Sequence, residues 1–266
     1  KGYVLSEEEI AVTIGKVDEV VEIELVNYFI KGNIALTKVD EDYPDNKLSG
    51  AVFEVYSDTN GDGKLDKDDT LLGEMKELDG GVYQMSELRF GKYLVKETKA
   101  PTGFVLDENV YSVSVEENGK TYTVENKAGV GFINAAQKGS LKIVKTSSDG
   151  KVEGFSFRVT GVDYDQTFKT DKNGEIVIEG LRIGDYTVSE VSDKASAGYI
   201  LPADKQATVK VDATAIVQMH NEFRDTPKTG DDFNLGLWVS LAALSVVGAG
   251  VLGFVGYKNR KKKKED

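Results

Sequence analysis

The stretch "NIALTKVD" (33–40) decides the fold through the position of its lysine. Read as a β-strand, alternate side chains share one face, so Lys38 sits with Ile34 and Leu36 on the apolar side. The pattern returns in "SLKIVKT" (140–146), where Lys145 goes with Leu141 and Ile143. Around these strands the chain repeats itself. "LVNYFIKGNIALTKVD" (25–40) aligns with "FINAAQKGSLKIVKTS" (132–147), with Lys-Gly at the same offset and each Asn or Lys recurring after 107 residues. "GKYLVKETKAPTGF" (91–104) aligns with "GDYTVSEVSDKASAGY" (184–199), sharing Gly-x-Tyr, a Glu and a Gly-aromatic pair.

Strand parity adds two more polar residues to each apolar face. Glu97 goes with Tyr93 and Val95, and Glu190 with Tyr186 and Val188. Asn134 goes with Val130 and Phe132, Asn221 with Val217 and Met219, and Asn27 with Val21, Ile23 and Leu25. The repeats divide the chain into the closing strands of one domain (1–31), a full domain (32–137), a second full domain (138–224) and a C-terminal segment (225–266). The linkers are a few residues long, which predicts a stiff rod.

Burying an amine, a carboxyl and a carboxamide unpaired is costly, so the three must meet. Burial favours the neutral amine of Lys, a nucleophile, and the protonated form of Glu. A protonated carboxyl beside an Asn amide polarises its carbonyl and relays protons. Attack of the Lys amine on the Asn amide expels ammonia and leaves a Lys–Asn isopeptide bond. The alternatives are a satisfied hydrogen-bonded trio, or strand ends open to water.

"YLVKETKAPTGF" (93–104) resembles the glutamate-bearing box "YxLxETxAPxGY" of Gram-positive pilins and Cna B-type (SpaA-like, prealbumin-like) domains. The opening strands with Lys and closing strands with Asn complete that resemblance over residues 1–224. It implies an all-β architecture of tandem Ig-like, seven-stranded sandwiches. It also implies isopeptide bonds between Lys38 and Asn134 and between Lys145 and Asn221, with Glu97 and Glu190 as the catalytic carboxyls. Asn27 would be the acceptor of a domain whose Lys and Glu lie upstream of Lys1. The second box departs from the pattern, with Val191 in place of Thr and "DKASAG" in place of "APxG".

The last 42 residues read as an anchor. Leu235 to Tyr257 is uncharged and, as a helix, roughly 34 Å long, enough to cross a bilayer. The tail 258–266 holds six basic residues, which marks its side as cytoplasmic and the rest of the chain as extracellular. Just outside the helix, "TPKTG" (Thr226, Pro227, Lys228, Thr229, Gly230) resembles an LPxTG-type sortase signal, with Thr226 where Leu is usual. The resemblance implies cleavage between Thr229 and Gly230 and transfer of the Thr acyl group to an amine of peptidoglycan or of a pilin lysine.

"DTNGDGKLDKDD" (58–69) fits the spacing of a calcium loop. Asp58, Asn60, Asp62, the Lys64 carbonyl, Asp66 and Asp69 fall at the ligand positions, though Asp69 replaces the usual bidentate Glu and a strand precedes the loop. An acidic hairpin loop needing no ion is the alternative. The second domain has no counterpart, so the fold itself does not depend on calcium.

The formal net charge of −12 argues against nucleic acid as a partner. The chain has no cysteine, so disulfides do not brace it. His220, its one histidine, turns outward by strand parity, which leaves no Ser/His/Asp arrangement. Lys1 is not a start methionine and no secretory leader precedes it, so the sequence is expected to be the C-terminal part of an exported protein. These features predict a wall-anchored stalk, pilin or adhesin facing a host or cell-surface ligand, not a turnover enzyme. The other reading is the anchoring stalk of an ectoenzyme with its catalytic domain upstream.

Overall fold

The computed structural model describes residues 1–224. The sorting motif 226–230, the apolar run 235–257 and the basic tail lie outside the described residues. Among the described residues all regular elements are strands, and no helix is long and apolar enough to cross a membrane.

The first domain holds β1 (Lys31–Asp40), β2 (Val52–Ser57), β3 (Thr70–Glu74), β4 (Lys76–Asp79), β5 (Val82–Arg89), β6 (Gly91–Lys99), β7 (Val110–Val115), β8 (Thr121–Thr123) and β9 (Phe132–Asn134). One sheet runs β4-β5-β1-β8, with β9 also pairing with β1, and the other runs β3-β2-β6-β7. Ile34, Leu36, Phe53, Val55, Tyr83, Val95, Val115 and Phe132 fill the space between the sheets. Burial alternates along β1, as the period-2 pattern of the sequence requires.

The second domain holds β10 (Lys138–Ser147), β11 (Ser156–Gly161), β12 (Tyr164–Lys169), β13 (Glu175–Arg182), β14 (Gly184–Val191), β15 (Tyr199–Ile200), β16 (Lys205–Val209) and β17 (Thr214–Phe223). Its sheets run β13-β10-β17-β15 and β12-β11-β14-β16 over a core of Leu141, Ile143, Phe155, Phe157, Tyr186, Val188, Tyr199 and Met219. The domains therefore carry nine and eight strands rather than seven each. The first gains two: the four-residue β4 beside β5, and a second piece of the closing strand, which residues 124–131 break into β8 and β9. The second gains the two-residue β15.

The recurring Lys-Gly has a steric cause. At Gly32 and Gly139 the register of the opening strand shifts. A Cβ at Gly32 would stand 2.8 Å from the Lys120 carbonyl oxygen, and one at Gly139 2.1 Å from that of Lys210. Only glycine lets the two backbones approach so closely.

Residues 1–30 differ from expectation. The strand expected over 21–27 does not form, and the one pairing in the segment is an isolated bridge between Tyr3 and Phe29. Among the described residues no strand lies alongside 21–27 to take its N–H and C=O groups, and a strand without a partner does not hold. The bridge itself copies the exit of the first domain. Ile30 N donates to Gly2 O at 2.8 Å and Val4 N to Tyr28 O at 2.8 Å. Gln137 N donates to Gly103 O at 2.8 Å and Val105 N to Ala135 O at 2.9 Å, around the Phe104–Ala136 bridge.

Candidate functional site

In both domains the first and last strands lie side by side and parallel. β1 meets β9 with Lys38 opposite Phe132 and Asp40 opposite Asn134. β10 meets β17 with Lys145 opposite Met219 and Ser147 opposite Asn221. Each asparagine thus stands two residues beyond the lysine's partner, on the same face. The glutamates arrive from the other sheet, Glu97 opposite Phe53 on β2 and Glu190 opposite Phe157 on β11.

In the first domain the trio is sealed. Lys38 and Glu97 are fully buried and Asn134 is 3% exposed. Asn134 Nδ2 donates to Glu97 Oε1 at 2.9 Å and Oε2 at 3.0 Å. Lys38 Nζ lies 3.8 Å from Glu97 Oε1 and donates to the Phe132 carbonyl at 3.0 Å. Burial lowers the Lys38 ammonium to about 8, against the pull of Glu97 and Asp107. Burial also raises the Glu97 carboxyl above the ordinary range, opposed by the Asp107 amide, Asn134 and Lys38. Asn134 Oδ1 is buried without a hydrogen-bond partner, so the carbonyl that an attacking amine would meet is unencumbered.

The second domain assembles the same residues differently. Lys145 is 1% exposed and Asn221 fully buried, but Glu190 is only half-buried. Asn221 Nδ2 donates to Glu190 Oε1 at 2.6 Å, while Glu190 Oε2 and Asn221 Oδ1 are both buried without partners. A proton on Oε2 would turn that oxygen into a donor. Burial raises the Glu190 carboxyl, which favours that proton, and lowers the Lys145 ammonium. Lys145 Nζ turns to the carbonyl of Thr146 and lies 4.2 Å from the centre of the Phe155 ring.

Several supporting residues carry no signal of their own in the sequence. The Asp107 amide donates to Glu97 Oε2 at 2.8 Å. Asn126 grips Ile133 from both sides, accepting from its N–H at 2.6 Å and donating to its carbonyl at 2.9 Å, and so holds the three-residue β9 in place. In the second domain Tyr199, which the sequence does mark as the aromatic of its Gly-aromatic pair, donates through its hydroxyl to Asp149 at 2.6 Å, and its ring stacks edge-on against Phe155.

The other candidates fall outside these two sites. Asn27 is exposed. His220 is partly exposed, with Thr146 Oγ1 2.8 Å from its Nδ1 and Glu222 Oε1 3.3 Å from its Nε2. The loop 58–69 is wound on its own polar groups. Asp58 accepts the amides of Gly61 and Gly63, Asn60 that of Asp62, Asp62 that of Lys64, Asp66 that of Asp68, and Asp69 those of Thr59 and Asp66. The donor set is all oxygen, as a hard cation requires. Yet among the described residues no three acidic, His or Cys side chains gather as a metal site, and Lys92 Nζ already bonds the Gly61 carbonyl at 2.8 Å.

The chain is similar to a group of solved structures. The Bacillus anthracis TIE protein superposes with a TM-score of 0.62 at 25% identity, over 84% of this chain and 39% of that one. The chain therefore spans well under half the length of that relative. GBS52, the minor pilin of Streptococcus agalactiae, matches at TM-score 0.34 and 17% identity, over 76% of this chain and 100% of the pilin. The shaft pilin SpaA of Lactobacillus rhamnosus GG matches at TM-score 0.34 and 15% identity, over 74% and 99%. Among curated proteins no sequence matches. The profile described as "SpaA: Prealbumin-like fold domain" matches residues 32–128 and 139–223. With both sandwiches covered, the chain belongs to the SpaA prealbumin-like domain family.

Proposed function

We propose that this chain is a load-bearing stalk of a Gram-positive surface structure, a pilus subunit or adhesin, with each domain closed by a Lys–Asn isopeptide bond. The observation that carries the reading is the sealed trio of the first domain. A buried amine with its pKa lowered to about 8 lies 3.8 Å from a carboxyl that holds the acceptor amide through both oxygens.

The chemistry balances within the trio. Lys38 passes a proton to Glu97 and, as a neutral amine, attacks the Asn134 side-chain carbonyl carbon. The new C–N bond forms as the C–Nδ2 bond breaks. Protons travel through Glu97 to the departing nitrogen, which leaves as ammonia. Lys145, Glu190 and Asn221 follow the same course. The bonds tie first strand to last in each domain, so tension along the chain bypasses the hydrogen-bonded core.

Residues 1–31 end a further domain of this fold with Asn27 as its acceptor. The support is the Tyr3–Phe29 bridge, which repeats the exit of the first domain bond for bond. A membrane-bound sortase recognises residues 226–230 and exchanges the Thr229–Gly230 peptide bond for one to a peptidoglycan or pilin amine. Calcium, where it binds, is held by Asp58, Asn60, Asp62, the Lys64 carbonyl, Asp66 and Asp69, and braces one surface loop. Isothermal titration with the chloride salt tests that assignment, and the absence of heat removes it.

Intact-mass spectrometry tests the central claim. The folded chain is expected to be lighter than its sequence by one ammonia for each full domain. A mass equal to the sequence rejects the crosslinks.

A further inference from the structure

The two sandwiches meet at a cluster centred on one arginine. Arg182, the last residue of β13, donates to Asp40 through Nη1 at 2.6 Å and Nη2 at 2.8 Å, and to Asp42 at 2.9 Å. Lys138 Nζ lies 3.2 Å from Asp42, and the guanidinium lies over the rings of Tyr43 and Phe104. Burial pushes the Asp40 carboxyl up, but the hydrogen bonds and charge of Arg182 together with the Asp42 and Tyr43 amides outweigh it and hold the group below its usual range. Asp40 stands opposite Asn134 in the strand register, so this latch grips the domain beside its candidate crosslink.

The first domain carries the same receiver at its own entrance. Arg89 precedes Phe90-Gly91-Lys92-Tyr93 as Arg182 precedes Ile183-Gly184-Asp185-Tyr186. Lys31 pairs with Arg89 as Lys138 pairs with Arg182. Phe90 N donates to Ile30 O at 3.0 Å, matching Ile183 N to Gln137 O at 3.1 Å. The Tyr93 hydroxyl bonds the Arg89 carbonyl as Tyr186 bonds that of Arg182. The Arg89 guanidinium lies 4.0 Å from the centre of the Phe29 ring, within the segment whose bridge copies the domain exit. Only the acid differs. Among the described residues no carboxylate lies within ion-pair distance of Arg89, which is exposed, and Lys31 pairs only with Glu87, itself exposed.

We propose that Arg89 and Lys31 form a docking surface for the end of a preceding domain of this same fold. That domain presents an acidic residue two positions past its crosslinking lysine, at the place Asp40 holds. The inference rests on the reading that residues 1–31 end such a domain, and it turns the latch from one contact into a repeated joint. Charge complementarity and continuity with the Asp40–Arg182 interface select this occupant over any other partner.

The test is a tandem chain in which a second copy of residues 31–137 replaces residues 1–30, so that the leading Asp40 faces the trailing Arg89. Because the sequence has no cysteine, Glu116→Cys in both copies gives two unique spin-label sites. A single narrow distance peak is expected between them, lost on Arg89→Gln in the trailing copy or on Asp40→Asn in the leading copy, with the double variant no broader than either. In the original chain, labels at Glu116→Cys and Lys172→Cys should report the same loss on Arg182→Gln. A broad distribution from the start, a peak that survives Arg89→Gln, or a leading copy that does not fold ahead of Lys31 overturns the proposal. The crosslink reading fails separately, by mass, with these distances unchanged.

Discussion

The two domains hold the same three residues by different means. In the second, β17 runs beside β10 in unbroken parallel register from Thr214 to Asn221, so the ladder itself delivers Asn221 to Glu190. In the first, the closing strand is cut, and Asn134 ends a three-residue strand with little ladder of its own. There the positioning falls to side chains and loop amides: Asn126 brackets Ile133, and the Asp107 amide braces Glu97. The first trio is also the drier, with Glu97 fully buried where Glu190 is only partly buried. A backbone ladder and a side-chain bracket are thus interchangeable ways to seat one constellation, and they differ in what breaks them.

The largest expected effect comes from removing the carboxyls. Glu97→Ala leaves the first domain lacking its ammonia loss and strands Lys38 in the core with no counter-charge. The lost tie alone costs about 4–5 kcal/mol, taking a closed loop of roughly 100 residues and the analogy with disulfides. Glu190→Ala removes the second tie but strands less, since the carboxyl there is only partly buried and solvent reaches the gap it leaves. Differential scanning calorimetry should show the larger fall for Glu97→Ala. Equal falls would mean that the difference in burial does not matter.

The pH dependence of crosslinking sharpens the contrast. The reactive state needs a neutral amine and a protonated carboxyl, which together hold one proton, the same number as the ion pair. Its population is therefore flat between the raised Glu97 pKa and the Lys38 pKa of about 8, falling above that window, where the shared proton is lost, and below it, where the pair takes a second proton. In uncrosslinked chain made by cell-free synthesis, the rate of ammonia loss from the first domain should decline as pH rises past about 8. A rate that climbs there would show that the ionised Glu97 suffices and that no proton relay is needed.

Asn126→Ala tests the bracket. It removes two hydrogen bonds that fix Ile133, at about 1–3 kcal/mol for the buried groups left unpaired. Crosslinking in the first domain should slow while the second keeps its rate, because β17 has no such bracket to lose. Peptide mapping after timed refolding distinguishes the two. A slowed second domain would point to general destabilisation.

Strand parity made the sandwich and the inward faces of Lys38, Glu97 and Asn134 legible, because a period of two is set by the backbone alone. It carries no information about which strands neighbour one another, so the split of β8 from β9 was hidden, as was the incomplete burial of Glu190. The supports Asp107 and Asn126 are short polar residues in loops, indistinguishable in sequence from turn formers. The latch was closer to the surface of the text: reading the Gly-x-Tyr boxes two residues further upstream puts Arg89 and Arg182 in register. The expected strand over 21–27 failed for the converse reason, since a correct alternation does not supply a partner.

The smallest effect concerns the ring beside Lys145. Phe155 stands where the first domain has Ala51, two residues before the phenylalanine that faces the glutamate in each domain. Its face, 4.2 Å from Nζ, favours the ammonium form and so works against the burial that lowers the Lys145 pKa. Phe155→Leu keeps an apolar side chain but removes the ring, and a cation–π contact of this kind is worth about 0.5–2 kcal/mol. In an Asn221→Ala background, where the amine stays free, nitrogen-detected NMR should find Lys145 titrating lower still in the leucine variant. A midpoint that holds or rises would make Phe155 a packing residue only, and the two lysines would then differ through their carboxyls alone.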